Sequence, residues 1–375
     1  MASGTGSGSS ETRSYGRRAS LLSIGVGITG VITYLFFAIA SHELSPHQYG
    51  QVVVLWSAVF VVVSVLQRPV EQLLSRTVSE RLATGQPIGH TVRVAATIQL
   101  GVAIGFDVLA LALRGPIEDG LLDGNETLYW IGVGAVTAYG ASYFARGFLA
   151  GSHRLTLYAA LIIAESVSRT AFPLAVALGI ASGQDAVALG IVTAPTLSLI
   201  VVPFAFLRRG AARAPAGEAT AAVPEAGSEF TLAHGGGFAA AVFLIMLSEQ
   251  TFLNAGPLIV NATSGAAAAG FIFNILMIAR APLQLFQAVS TSLLPHLTRL
   301  RSHGQDEDFR DSVRVTIRAI AAFAGLVGLA MLIAGPELMQ IAFGDKFDYE
   351  RVDLLIVTAG MGLYLAGATL NQAAL

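Results

Sequence analysis

The sequence predicts an all-α, polytopic integral membrane protein of about ten transmembrane helices, in two parallel-repeat halves of six and four. Three observations predict it. Of the 375 residues, 54% are hydrophobic and only 12% charged, where soluble domains carry about 25% charged residues; the mean hydropathy is +0.67. Apolar runs recur that are long enough for the ~20 residues a bilayer crossing needs. Strands are excluded, because the runs are too long and an open sheet edge cannot face lipid. Finally, the chain repeats itself. Segment 50–85 (GQVVVLWSAVFVVVSVLQRPVEQLLSRTVSERLATG) has a relative at 264–304 (SGAAAAGFIFNILMIARAPLQLFQAVSTSLLPHLTRLRSHG), with Leu73-Leu74 matching Leu293-Leu294 and a closing Gly in both. Val92-Arg93-Val94 then matches Val313-Arg314-Val315, and Gly115-Pro116 matches Gly335-Pro336, all at an offset of 219 to 221 residues. A constant offset over several matches marks an internal duplication.

Taken in order, residues 1–18 open on MASGTGSGSS and are expected to form a disordered cytoplasmic tail. Arg13, Arg17 and Arg18 then precede 22 uncharged residues, 19–40. A signal peptide has a similar basic start but an apolar core of only about 7–15 residues, so this is a retained first span. Further spans are expected near 49–68, 92–113, 128–148, 156–180 and 186–207, completing an N-terminal half over 19–207. Residues 208–234 (RRGAARAPAGEATAAVPEAGSEFTLAH) have the composition of a flexible linker. The C-terminal half, 235–375, is expected to hold spans near 236–260, 266–293, 315–334 and 352–372. Their richness in Gly and Ala suits close helix packing in lipid.

With the N-terminus in the cytoplasm, the inner segments collect 17 Arg and the outer loops three basic residues, Arg114, Lys346 and Arg351. That asymmetry satisfies the positive-inside rule, and a multi-pass cell-membrane protein with a cytoplasmic N-terminus is the expectation. Both halves then begin on the inner side, as parallel repeats do. Nothing in the second half corresponds to 156–207. Either that half is naturally short, or roughly 50–60 residues and two helices are missing, as parallel repeats of six would require; a truncated chain is the expectation.

Several classes are excluded. There is no Cys, hence no disulfide framework and no thiolate metal site or nucleophile. The seven His residues sit near span ends without metal-ligand spacing. No inner-face GxSxG is present, and Gly25-Val26-Gly27 lies inside span one without a Lys/Ser partner and is read as packing, so the chain is expected to be no enzyme and to need no metal or cofactor. A net charge of −2 gives no sign of nucleic-acid binding. Asn125-Glu126-Thr127 and Asn261-Ala262-Thr263 match the glycosylation triplet but are not read as modification sites.

Leu44-Ser45-Pro46-His47-Gln48-Tyr49-Gly50 enters span two, and Phe144-Ala145-Arg146-Gly147-Phe148-Leu149-Ala150-Gly151 closes span four. Leu293-Leu294-Pro295-His296-Leu297 closes span eight; Gly335-Pro336-Glu337-Leu338 and Phe343-Gly344-Asp345-Lys346-Phe347 follow span nine. In order and spacing these resemble the polysaccharide-transporter (oligosaccharide flippase) branch of the multidrug/oligosaccharidyl-lipid/polysaccharide exporter superfamily. The resemblance covers roughly 19–375. It implies two six-helix bundles forming a V around a cavity. Alternating access there would carry a polyprenyl-diphosphate-linked sugar across the membrane, alongside glycosyltransferases or a polymerase of a polysaccharide pathway. A lipid II flippase is ranked lower, because span one lacks the arginine–aspartate pair of that branch. A drug/cation antiporter and a non-transporting scaffold of a glycan-assembly complex are the remaining alternatives.

Charges at membrane depth are the candidate site residues, each costing about 2.5–3.5 kcal/mol at a helix centre unless it faces the bundle interior with a partner. Arg169 and Arg280 each lie about 20 Å from the nearer membrane face, counting 1.5 Å per residue, and together would suit a diphosphate. The competing reading pairs Arg169 with Glu165 one turn earlier and Arg280 with Glu249, which could also titrate or bind a coupling cation. Asp107 is read as a cavity-rim or interfacial carboxylate. Arg68 and Glu71 end span two, where Arg68 either snorkels to headgroups or helps capture substrate. Asn254 and Asn274 are candidates for bonding sugar hydroxyls, against the plainer role of joining helices.

Overall fold

The computed structural model describes the backbone at 7–207, 244, 247–248, 250–251, 254–278 and 306–374, with side chains over 24–206 and, in the last segment, over 312–367. The described residues contain helices and no strand. Contacts group the chain into two compact units, Met1–Ala269 and Gly270–Leu375. The linker expected at 208–234 and much of the spans at 236–260 and 266–293 lie outside the described residues.

In the first unit α1 runs over Ser7–Glu43, starting twelve residues before the expected span and inside the stretch expected to be disordered. No Pro interrupts it, and once a helix is nucleated each added residue gains a backbone bond at low cost. α2 (Pro46–Leu66) begins on a capping box: the Ser45 side chain accepts from Gln48 N–H while the Gln48 side chain accepts from Ser45 N–H, satisfying two otherwise orphaned donors. It yields at Gln67 to α3 (Arg68–Ala83). Pro69 sits at the first turn of α3, where its missing N–H removes no bond. The helix therefore continues past the expected span end at 68. Together α2 and α3 make a rod of 38 residues, about 57 Å at 1.5 Å per residue, nearly twice the ~30 Å hydrocarbon core.

α4 (Gly89–Ala112) and the short α5 (Arg114–Leu121) lead into a corner where Asp123 and Gly124 adopt φ of 51° and 75°. α6 (Glu126–Gly151) is capped by the Asn125 side chain, which accepts from Leu128 N–H at 3.0 Å. α7 (Leu155–Ala177) and α8 (Gly183–Ser198) follow, then a 3-10 turn and α9 (Phe204–Leu207). α10 covers 254–264, and α11 is Ala266–Ile278. The second unit is built on α12 (Asp306–Phe343) packed against α13 (Arg351–Ala374), with Ile320 and Leu365 at the heart of that contact.

Six described helices are long and apolar enough to cross a membrane: Ile24–Glu43, Pro46–Ala83, Gly89–Ala112, Leu155–Ala177, Gly183–Phe206 and Ser312–Phe343. The expected count of ten is therefore not met among the described residues. α6 and α13 are helical where spans are expected but are not among the six. For α6 the reason is its position. It packs on α2, α3, α4, α7 and α8 and buries 13 of its 26 residues. A helix enclosed by other helices need not be as apolar as one bathed in lipid. α4 shows the opposite case, leaving Leu100, Ile104, Val108 and Leu109 exposed as a lipid-facing surface should.

Candidate functional site

Within the first unit, α6 presents Tyr139, Ser142, Tyr143 and Arg146 at i, i+3, i+4 and i+7, and α7 presents Tyr158, Ile162, Glu165 and Arg169 at i, i+4, i+7 and i+11. Each set occupies one helix face, and the two faces meet. Glu165 lies between two arginines: its Oε1 is 3.0 Å from Arg169 Nη2 and its Oε2 is 2.5 Å from Arg146 Nη2. Ser142 Oγ donates to the same Oε2 at 3.1 Å. Arg169 also donates from Nη2 to Tyr139 Oη at 3.1 Å. Its guanidinium carbon lies 4.5 Å from the centroid of the Trp56 ring of α2, and that of Arg146 lies 4.5 Å from Tyr143. Trp56 in turn stacks on Phe60 and meets Phe37 edge-on.

Burial makes this arrangement costly to break. Arg169 is 3% exposed, Glu165 4% and Trp56 5%. Charges removed from water persist only when paired and hydrogen-bonded. Within the triad itself two guanidinium groups face one carboxylate, a surplus of one positive charge, and the Glu71 carboxylate of α3 is a further anion within electrostatic reach of Arg146. The Nε of each arginine is also buried without a hydrogen-bond acceptor among the described residues. Local pairing is complete for the carboxylate and incomplete for the cations.

Toward the α7 start, Tyr158 Oη donates to Glu71 Oε1 of α3 at 2.9 Å. Gly147 and Gly151 let α6 lie directly on α3 there: a Cβ on Gly147 would sit 2.7 Å from the Glu71 carbonyl oxygen, and one on Gly151 2.6 Å from that of Ser75. A further buried pair joins the α2–α3 junction to α4, with Gln99 Nε2 donating to Gln67 Oε1 at 2.5 Å.

The residues that the sequence singles out are thus distributed unevenly. Arg169 and Glu165 form the one-turn pair. Arg68 and Glu71 begin α3 rather than ending a span. Asp107 of α4 accepts from Thr137 Oγ1 at 2.9 Å, apart from the triad. Asn254 is buried and donates to the carbonyl and side chain of Gln250, four residues earlier. Asn274, in the second unit, donates to Tyr349 Oη at 2.9 Å. Arg280 and Glu249 lie outside the described residues. Arg146, Ser142, Tyr139 and Trp56 are not among the residues the sequence singles out. Arg146 counts there among the 17 inner-side arginines, close to the expected span end at 148, whereas α6 continues to Gly151. The polar stripe at positions 139, 142, 143 and 146 is the signal that could have found it.

A scan against protein-family models matches none. Among curated proteins, uncharacterized proteins of Mycobacterium tuberculosis and Mycobacterium bovis are each 26% identical over 367 residues, spanning 92% of this chain and 77% of the relative. Among solved structures, a multidrug resistance MATE family transporter of the MOP superfamily, in an inward-facing conformation, matches with a TM-score of 0.67 at 9% identity, covering 94% of this chain and 85% of that one. The MATE multidrug transporter DinF-BH in complex with R6G gives a TM-score of 0.59 at 11% identity over 96% and 82% of the two chains. The bent form of the Vibrio cholerae MATE transporter VcmN gives 0.53 at 15% identity over 97% and 85%. The chain has a fold like that of these MATE transporters and is a multi-pass membrane protein.

Proposed function

We propose that this chain is a membrane transporter working by alternating access, and that its substrate is a lipid-linked oligosaccharide moved across the cell membrane with the N-terminus cytoplasmic. The fold shared with transporters along 94% of the chain supports the first part. The observation that carries the second is the surplus positive charge of the Arg146–Glu165–Arg169 triad, together with the sequence resemblance to oligosaccharide flippases. In this reading Glu165 is the resident counter-anion of two arginines whose planar forks match phosphate oxygens. A diphosphate arriving at the opened bundle competes for them. The sugar would be held by amides and hydroxyls, for which Asn254 of the first unit remains a candidate.

Export of organic cations is the second reading, favoured by the multidrug function of the structural relatives. Against it stands the occupancy of both Glu165 oxygens by arginine, which leaves no free carboxylate edge there for a cation. Proteoliposomes separate the two. The expected result is that wild type flips a fluorescent polyprenyl-diphosphate oligosaccharide and Arg169→Gln slows it at least tenfold. Uptake of a lipophilic cationic dye without lipid flipping would move the second reading to first place. Neither activity in a folded protein would favour a scaffold beside glycosyltransferases or a polymerase.

A further inference from the structure

At the end of the first unit away from the triad, three elements meet that the proposed function does not use. Gly50, at the start of the second turn of α2, lies against the first turn of α11. A Cβ there would overlap the Ala266 carbonyl and stand 3.0 Å from Ala267 N. α2 and α11 are the helices that the sequence duplication pairs, so equivalent ends of equivalent helices touch. Around this contact, Asn261 of α10 donates from Nδ2 to the Leu121 carbonyl at 3.1 Å. From the α2 side, Gln51 Nε2 donates to the Leu122 carbonyl at 3.4 Å and to Asp123 Oδ2 at 3.3 Å, and His47 Nε2 lies 3.2 Å from that same oxygen. The corner between α5 and α6 is thereby gripped from both sides, and its conformation is constrained. Asp123 holds a φ of 51°, in the left-handed region that Asp adopts more readily than most non-glycine residues. Gln51 and Asn261 are themselves buried, at 4% and 8% exposure.

We propose that Gly50, Gln51, Asn261 and the 121–123 corner form a latch that holds this end of the bundle shut and releases once in each transport cycle. The inference rests on the alternating-access reading and not on the identity of the substrate. Its physical logic is that of a two-state closure. The bonds are few, they run mainly from side chain to backbone, and they sit at an end of the bundle rather than in its core. Each can therefore be lost without unfolding a helix. The glycine is what allows two helix ends to approach to backbone contact; any side chain at position 50 wedges them apart.

The chain has no cysteine, so single reporters can be placed cleanly. Ala269→Cys, at a site 0% exposed one turn below the contact, reports opening of the latch, and Ala135→Cys, 0% exposed on α6, reports loosening of the core. Labelling by a membrane-impermeant maleimide is followed in purified full-length protein, with no substrate present. Asn261→Ala is expected to speed labelling at 269 by about fivefold or more, the change that losing one hydrogen bond makes in a two-state equilibrium, and Gly50→Ala, whose methyl overlaps the Ala266 carbonyl, by at least as much, with labelling at 135 unchanged in both. Unchanged labelling at 269 in both variants, or a rise at 135 equal to that at 269, overturns the latch. Either result is obtained whether or not the chain moves a lipid-linked oligosaccharide.

Discussion

At Glu165 one carboxylate serves two guanidinium groups, so removing it harms more than removing either partner. Glu165→Gln strands two buried cations. It is expected to cost about 3–5 kcal/mol, the range for breaking a buried pair, read as a lowered Tm or denaturant midpoint in detergent. Ser142→Ala deletes a single neutral donor to the same oxygen and should cost only about 1 kcal/mol. A loss of under ~1 kcal/mol in Glu165→Gln would mean that Arg146 and Arg169 find other acceptors, and the triad would lose its claim to organise the site. Part of this is legible in the sequence. Glu165 and Arg169 stand four apart on a helix, and geometry alone pairs them. Arg146 is legible only as one position of the polar stripe at 139, 142, 143 and 146; counted with the inner-side arginines, it shows no sign of a buried partner. Only the pairing of α6 with α7 turns its side chain inward.

Among the elements, α6 shows how lipid and protein surroundings impose different compositions. Its Gly147-x-x-x-Gly151 spacing, which in the sequence belongs to a family-like motif, has a direct physical use: both glycines face α3 backbone, the close approach that small residues permit in membrane bundles. Gly147→Val is expected to destabilise by about 1–3 kcal/mol through overpacking. Gly105→Ala, on lipid-facing α4 with nothing within 4 Å of where the new methyl would sit, should be neutral or stabilising by about 0.5–1 kcal/mol, because it replaces a helical glycine. Equal effects at the two sites, measured by thermal unfolding of the purified variants, would contradict the packing assigned to α6. Span positions are readable from apolar runs at α2, α4, α7 and α8. Helix ends are less so, since Pro69 looks like a terminus and is in fact the first turn of α3.

For the molecule as a whole, the excess of arginine on alternate loops makes a sidedness prediction. Single cysteines at Arg76 and Arg154 should react with an impermeant reagent only in inside-out vesicles, and one at Asp119 only in intact cells. Reaction of all three from one side would reverse or abolish the topology read from charge. The all-α membrane architecture and its helical spans follow from composition, whereas the buried network depends on which helix faces meet, something no single run of residues encodes. That network also supplies its own optical probe. The chain has two tryptophans, and each lies over an arginine: Trp56 over Arg169 and the half-exposed Trp130 over Arg114. Replacing Trp130 with Phe leaves the emission of a single indole inside the triad. Any event that draws Arg169 from that ring, ligand or conformational change, should register as a spectral shift in unlabelled protein. The charge cluster can thus be watched by fluorescence before its substrate has been identified.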